Sequence, residues 1–268
     1  RNSSRRNQSS RTAKILVHGY CANKNPFPTE HFTNGRSARI IEFSDPDGYR
    51  IKNWKTDEFA RKIARFTNQH GIDACNIIAH SQGGVAALHL HNYYWSCLDD
   101  GTIIGTGEGG SESRSRLIQS VGSPYQGTKL ANVKYADIVG KIVGQGCGSN
   151  EDLTEKGARL WLRGISSFAR SAVTYYTTSA GDESIRKDIT GCSEETSFVL
   201  EGPNDGVVER RNGQLPGGNF GGHSKNQCHT EGLNGYLSQT RDVTRNRVMD
   251  RVEVAVLSSM QSTNRAEL

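Results

Sequence analysis

Short apolar runs alternate along this chain with longer segments whose apolar residues recur at helical spacing. Unbroken apolar runs of four to six residues are typical of strands buried on both faces of a parallel sheet. Lys14–Val17 is a continuous run of this kind, and we predict four further strands at Ala38–Phe43, Asn76–Ala79, Leu117–Val121 and Val173–Thr178. A weaker strand is predicted at Ser197–Leu200.

Helices are predicted between these strands. From Thr56 the apolar residues recur at helical spacing until Gly71, and a second helix is predicted from about Gly83 to Trp95. A helical excursion covers about residues 127–170, and a last helix about residues 243–257. This alternation predicts an α/β fold with a mainly parallel central sheet and helices on both faces.

The third predicted strand leads directly into a serine, Ser81, flanked by small residues and followed by a helix. This is the pattern of a nucleophile elbow, a strained strand-to-helix turn that lifts a serine hydroxyl out of the sheet. Its consensus is G-x-S-x-G, and here Ala79 stands at the first glycine position and Gly83 at the second. The turn needs a small side chain at the first position, so we predict Ser81 to be a nucleophile.

A serine hydroxyl needs a base to take its proton, and an acid must orient that base. In α/β-hydrolases the acid and then the histidine follow the nucleophile along the chain. Only His223 and His229 lie beyond the elbow and its helix. We favour His229, which precedes a plausible helix start, and keep His223, in a glycine-rich stretch, as the alternative. Asp205 is the favoured acid because it lies in a turn after a strand candidate, and Asp182 and Asp188 are its competitors.

Two backbone N–H groups must also stabilise the negative charge that develops on the substrate oxygen. One is expected from Gln82, the residue after the nucleophile. The other is expected from Tyr20, in the loop after the first strand, which His18 and Gly19 would shape.

Five segments resemble, in the same order, the motifs of the secreted bacterial triacylglycerol lipases and carboxylesterases of the α/β-hydrolase fold. They are LVHGY at 16–20, AHSQGG at 79–84, VGSPYQGT at 121–128, NDGVV at 204–208 and HTE at 229–231. The resemblance covers about residues 14–237. It implies Ser81 as nucleophile, Asp205 as acid and His229 as base. It also implies Tyr20 and Gln82 as the backbone donors.

The resemblance further implies a helical lid insertion at about 127–170 within a single domain of residues 13–268. Lipid esters are then the expected substrates, foremost triacylglycerols, with contact to a lipid–water interface. The lid segment carries Lys134 and Lys141 among its apolar residues, and the mean hydropathy is −0.63. These features favour, as alternatives, a carboxylesterase or a polyester (polyhydroxyalkanoate) depolymerase. A catalytically silent α/β-hydrolase that only binds a ligand is a further alternative, against which the intact serine, acid and histidine argue.

Those lipases often bind one structural calcium ion near the histidine loop, through two acidic residues and a glutamine. Glu231 and Asp188 would stand for the acids, whereas Gly235 falls where the glutamine is expected. Because this ligand set is incomplete, we expect no metal and no cofactor to be required.

Cysteine content and charge predict the compartment of the protein and the kinds of partner it binds. The six cysteines form no C-x-x-C pair, which fits disulfides and an oxidising compartment, so we expect a secreted or periplasmic protein. The net charge of +5 falls to +1 once Arg1, Arg5, Arg6 and Arg11 are set aside. We therefore interpret residues 1–12 as a disordered basic arm and expect no nucleic-acid partner. No stretch approaches the roughly 18 apolar residues that span a membrane.

Overall fold

Six parallel strands form one sheet in the order β2-β1-β3-β4-β5-β6. The structure, a computed structural model, describes residues 12–20, 22, 39–44, 54–99, 117–132, 150–180, 199–224 and 228–229. The strands are β1 (Thr12–Val17), β2 (Arg39–Glu42), β3 (Ala74–His80), β4 (Ile118–Val121), β5 (Val173–Thr178) and β6 (Asn219–Ser224). Because all strands run the same way, their carboxyl ends share one edge, where such sheets place their chemistry.

Helices connect the strands and pack against them. They are α1 (Thr56–Gln69), α2 (Gln82–Tyr93), α3 (Lys129–Asn132), α4 (Glu155–Arg163) and α5 (Ser167–Ser171), with a 3₁₀ turn at Glu151–Leu153. Helix α1 buries Phe59, Ile63 and Phe66 on one face, as its apolar spacing predicts. Helix α2 is buried almost all round, since it contacts α1, α5 and the strands β3 and β4.

The five main predicted strands are confirmed with small shifts at their ends, but the two described residues of the weak sixth are not in a strand. Val199 and Leu200 lie in a turn and an irregular segment, whereas β6 is the glycine-rich stretch Asn219–Ser224. That stretch lacks the β-branched residues by which a strand is usually recognised. The stretch is extended because it pairs with β5, and in this pairing Thr177 lies opposite His223.

A disulfide between Cys75 and Cys97 links the start of β3 to the segment just after α2. Its sequence separation is 22 residues, and it encloses the strand, the turn at Ser81 and the helix in one covalent loop. Cys228, next to His229, is also disulfide-bonded. The disulfides expected from the cysteine content are therefore confirmed.

The described part of the predicted lid segment packs against the helix α2. The indole Nε1 of Trp161 donates a hydrogen bond to His89 Nδ1 at 3.0 Å, and the Tyr93 hydroxyl donates to the Gly164 carbonyl at 2.9 Å. Residues 133–149 lie outside the described residues, so a lid there stays a prediction.

The ends of the chain are described in part. Thr12, placed at the end of the predicted arm, already belongs to β1. Residues 1–11 and the predicted helix at 243–257 lie outside the described residues, and the extent of a single domain stays a prediction. Of the helices described, none is both long and apolar enough to cross a membrane.

Candidate active site

Ser81 occupies a sharp turn between β3 and α2. With φ 53° and ψ −132°, it is the one non-glycine residue with positive φ in the described part of the chain. Residues with side chains rarely adopt such a conformation, and it persists only where the surroundings enforce it. Its N–H donates to the Val121 carbonyl at 3.0 Å, and its carbonyl accepts from the Gly84 N–H at 3.1 Å. The turn expected of a nucleophile elbow is therefore present.

The side chains predicted as nucleophile, base and acid lie in one hydrogen-bonded row. His229 Nε2 is 2.9 Å from Ser81 Oγ, and His229 Nδ1 is 2.9 Å from Asp205 Oδ2. Because a carboxylate only accepts, Nδ1 carries the proton and Nε2 is left to accept from the serine hydroxyl. All three residues are buried, with 6%, 4% and 1% of the surface exposed for Ser81, His229 and Asp205.

The Asp205 carboxylate accepts hydrogen bonds at both oxygens. The N–H groups of Val207 and Val208 donate to Oδ1 at 3.1 and 2.8 Å. The Thr178 hydroxyl donates to Oδ2 at 2.7 Å, beside the bond from His229. Burial alone would raise the pKa of Asp205, but His229, Thr178 and the Val208 amide together lower it below its usual value. The acid is therefore ionised at neutral pH and attracts a positively charged imidazole.

Gly122, which follows β4, leaves the space in which Asp205 and His229 meet. A Cβ at this position would lie 3.2 Å from His229 Nδ1 and 3.3 Å from Asp205 Oδ2, and φ is +62°. The glycine of the segment VGSPYQGT is thus explained by close approach and by backbone conformation together.

The alternative histidine, His223, lies on β6 and binds elsewhere. The Thr177 hydroxyl is 2.9 Å from its Nδ1, and the Ser179 hydroxyl is 3.1 Å from its Nε2. The structure therefore joins His229, and not His223, to Ser81. The competing acids Asp182 and Asp188 lie outside the described residues.

The two predicted backbone donors each lie next in sequence to a residue at the serine turn. Gln82 is the first residue of α2, where helix amides lack partners within the helix, and its side chain points away to donate to the Trp54 carbonyl at 2.9 Å. Tyr20 follows Gly19, where a Cβ would lie 2.6 Å from Ser81 Cβ. The loop after β1 therefore lies directly against the serine. Burial raises the pKa of the Tyr20 phenol to about 12.

Two side chains that touch the row are not predicted from the sequence. Thr178 donates to Asp205, and the ring of His80 lies 4.6 Å from the ring of His229. His80 could have been found from its place beside the nucleophile. The strand end carrying Thr178 gives no signal, because threonine is common throughout β-strands.

His18, which shapes the loop before Tyr20, is buried beside two aromatic rings. Its ring centroid lies 5.5 Å from that of Phe43 and 5.9 Å from that of Phe59. Burial lowers the pKa of His18 to about 4. The folded protein therefore holds this imidazole neutral across the pH range in which an unfolded chain binds a proton.

We expect His18→Phe to reduce the acid sensitivity of the fold. Since the folded pKa lies below the unfolded one of about 6.5, the contribution of His18 is complete above pH 6.5 and is lost as the pH falls towards 4. Between pH 7 and pH 5 the wild type should lose about 2 kcal/mol more unfolding free energy than the variant. Urea denaturation at both pH values measures this difference. Equal losses in the two proteins would contradict the expectation.

The predicted calcium ligands Glu231 and Asp188, and Gly235 at the glutamine position, lie outside the described residues. Within the described ranges, no three His, Cys, Asp or Glu side chains are grouped so as to hold a metal ion.

Comparison with known proteins gives the family. The family model of the conditioned medium factor C-terminal domain matches residues 9–253. The chain belongs to this family. Conditioned medium factor of Dictyostelium discoideum is 40% identical over 235 residues, which cover 88% of this chain and 30% of that protein. The chain therefore spans less than a third of the length of this relative.

Solved structures similar to this chain include a lipase and a phospholipase. The mature lipase BlEst2 of Bacillus licheniformis matches with a TM-score of 0.58 and 16% identity, over 94% of this chain and 96% of that one. Phospholipase PlaB of Legionella pneumophila matches with a TM-score of 0.61 and 13% identity, over 95% and 62%. At these identities the likeness is one of fold, and it confirms the predicted α/β-hydrolase fold. The resemblance to bacterial lipases thus holds for the architecture, while the family is that of the conditioned medium factor domain.

Proposed function

We propose that this domain is a serine hydrolase that cleaves carboxylic esters through an acyl-enzyme intermediate. The observation that carries the proposal is the buried row of hydrogen bonds from Ser81 Oγ through His229 to Asp205, at 2.9 Å for each step. A serine beside an oriented base, on a strained turn at the carboxyl edge of a parallel sheet, is the arrangement that nucleophilic acyl transfer requires.

In the proposed reaction, Ser81 Oγ attacks the ester carbonyl carbon while His229 Nε2 takes the hydroxyl proton. The tetrahedral intermediate collapses, His229 returns the proton to the leaving alcohol, and the acyl group stays on Ser81 as an ester. A water molecule then attacks this ester with His229 again acting as the base, which releases the acid and restores the serine. Asp205 remains ionised, holds the Nδ1–H tautomer and stabilises the imidazolium.

We propose that the backbone N–H groups of Tyr20 and Gln82 bind the oxyanion of both tetrahedral intermediates. The close approach of Gly19 to Ser81 and the position of Gln82 at the start of α2 support this assignment. Amides fixed by a loop and a helix end need no reorganisation as the charge develops.

Lipid esters are the proposed substrates, most of all triacylglycerols met at a lipid–water interface. The fold shared with a bacterial lipase and a phospholipase supports this choice. A short-chain carboxylesterase or a polyester depolymerase would use the same chemistry. Every proton transfer in the scheme uses a side chain of this domain, so we propose that no cofactor is required.

We propose a secreted or periplasmic location and no nucleic-acid partner. The Cys75–Cys97 disulfide supports an oxidising compartment, and the name of the Dictyostelium relative refers to conditioned medium.

Labelling with a fluorophosphonate probe tests the proposal, because such probes react covalently with activated serines. We expect the wild type to be labelled, and Ser81→Ala to be spared. Ser96→Ala removes another buried serine, just after the far end of α2, and should be labelled like the wild type. A folded wild type that resists the probe would leave the domain as a catalytically silent binding protein. Rates on p-nitrophenyl esters of increasing chain length, with and without an emulsion, then separate a lipase from an esterase.

A further inference from the structure

Three consecutive polar residues at the end of β5 direct their side chains to two different partners. Thr178 donates to Asp205 Oδ2 at 2.7 Å. Thr177 and Ser179, on either side of it, both bind the ring of His223, at 2.9 and 3.1 Å. All three are buried, with at most 3% of their surface exposed.

We propose that Thr178 is a positioning residue for Asp205 and that His223 holds the strand end from which Thr178 acts. This inference rests on the proposed function, in which Asp205 orients the base. It assigns a role to the Thr178 hydroxyl and to His223, the alternative histidine that does not bind Ser81.

The donors around Asp205 fix the carboxylate in one orientation. Oδ1 accepts from two amides of the following turn, those of Val207 and Val208. Oδ2 accepts from the Thr178 hydroxyl and from His229 Nδ1. Two amides alone hold only Oδ1, and Thr178 is the donor from the sheet that holds the other oxygen. The orientation of the Asp205 oxygen that accepts from His229 is therefore fixed by β5, through Thr178, as well as by the turn that carries Val207 and Val208.

Thr178 also moderates the charge that His229 meets. A hydrogen bond to Oδ2 withdraws electron density from the oxygen that binds the imidazole, and in a buried site such a donor replaces solvation that water would give. Removing it should therefore change the strength of the hydrogen bond between Asp205 Oδ2 and His229 Nδ1.

His223 stabilises the backbone on both sides of Thr178. It lies on β6, opposite Thr177 in the strand register. A single imidazole bound to the residues before and after Thr178 restricts rotation of the strand end. These two bonds fix the strand end, so that the Thr178 hydroxyl stays in position to donate to Asp205.

Thr178→Val tests the proposal because valine keeps the shape of the side chain and removes the donor. We expect kcat to fall about tenfold with KM little changed. Thr178→Ser, which restores a hydroxyl, should recover most of the lost kcat. Thr67→Val is the matched control, since it removes a buried hydroxyl in α1 that donates to the Ala64 carbonyl, far from the site. A Thr178→Val enzyme with the kcat of the wild type would overturn the proposal.

Loss of stability in Thr178→Val is separated from loss of positioning by a double-mutant cycle with Asp205→Asn. If Thr178 acts through Asp205, its substitution costs little further activity once the carboxylate is gone. A purely structural role predicts that the two losses multiply, and this result would contradict the proposal.

A readout without turnover separates this inference from the proposed function. The proton between His229 Nδ1 and Asp205 should give a far-downfield signal in the ¹H NMR spectrum of the wild type. We expect this signal to shift in Thr178→Val and to return in Thr178→Ser. If it does so in a protein that hydrolyses no ester and resists the probe, the positioning role stands and the proposed function falls. An unchanged signal in Thr178→Val overturns the positioning role.

Discussion

Asp205→Asn is expected to lower kcat for ester hydrolysis by about 10⁴-fold. Asparagine matches the shape of aspartate, but it carries no charge and offers an N–H where His229 Nδ1 needs an acceptor. The imidazole then turns to the tautomer with its proton on Nε2, the atom that lies 2.9 Å from Ser81 Oγ. A protonated Nε2 takes no proton from the serine. Steady-state rates on a p-nitrophenyl ester, with circular dichroism to verify folding, measure the effect.

The competing acids of the sequence supply the control for this prediction. Asp182→Asn and Asp188→Asn remove the same charge from the same chain and are expected to keep wild-type kcat. If either variant shows the large loss while Asp205→Asn stays active, the acid is assigned to the wrong residue.

Gly19→Ala is expected to lower kcat by about 10²–10³-fold with a small change in KM. The new Cβ would lie 2.6 Å from Ser81 Cβ and 3.1 Å from Ser81 Oγ, and real Cβ atoms do not approach as closely as the first of these distances. Ser81 is fixed by its turn and by its bond to Val121, so the loop after β1 must move away. In the proposed mechanism, that movement withdraws the Tyr20 amide from the oxyanion and removes one of the two proposed donors.

A glycine without close neighbours is the matched control for Gly19→Ala. Gly71, after α1, has φ +61°, and a Cβ added there would meet nothing within 4 Å. Gly71→Ala should cost about 1 kcal/mol of stability and leave kcat unchanged. A Gly19→Ala enzyme with wild-type kcat would show that the loop carrying Tyr20 provides no oxyanion donor.

Much of the fold follows from local patterns. The strand at Val173–Thr178 and the helix from Thr56 are predicted because β-branched runs and helical apolar spacing are both strong signals. Strand β6 gives no such signal. A Cβ at Gly221 would come within 2.5 Å of the Tyr176 ring, so this strand needs small residues where a typical strand has bulky ones. Its glycines, which argue for a loop in the sequence, are explained by packing against β5.

The juxtaposition of Ser81, Asp205 and His229 can be predicted from the order of these residues along the chain and from the composition of their turns. Both features can be recognised in a single sequence. The sequence favours His229 over His223 from its neighbouring residues, but the hydrogen bonds that His223 makes instead follow only from strand pairing. The contact of Thr178 with Asp205 joins residues 27 positions apart, and no local pattern reports it. Sequence thus predicts which groups meet, and the sheet determines which neighbours hold them.

The disulfide between Cys75 and Cys97 gives the turn at Ser81 a mechanical independence from the rest of the chain. A pulling force between the two ends of the polypeptide passes through the covalent bond from Cys75 to Cys97 and bypasses the residues between them. The shortest covalent path along the chain therefore does not run through the serine turn, which stays a closed covalent loop when the chain is extended.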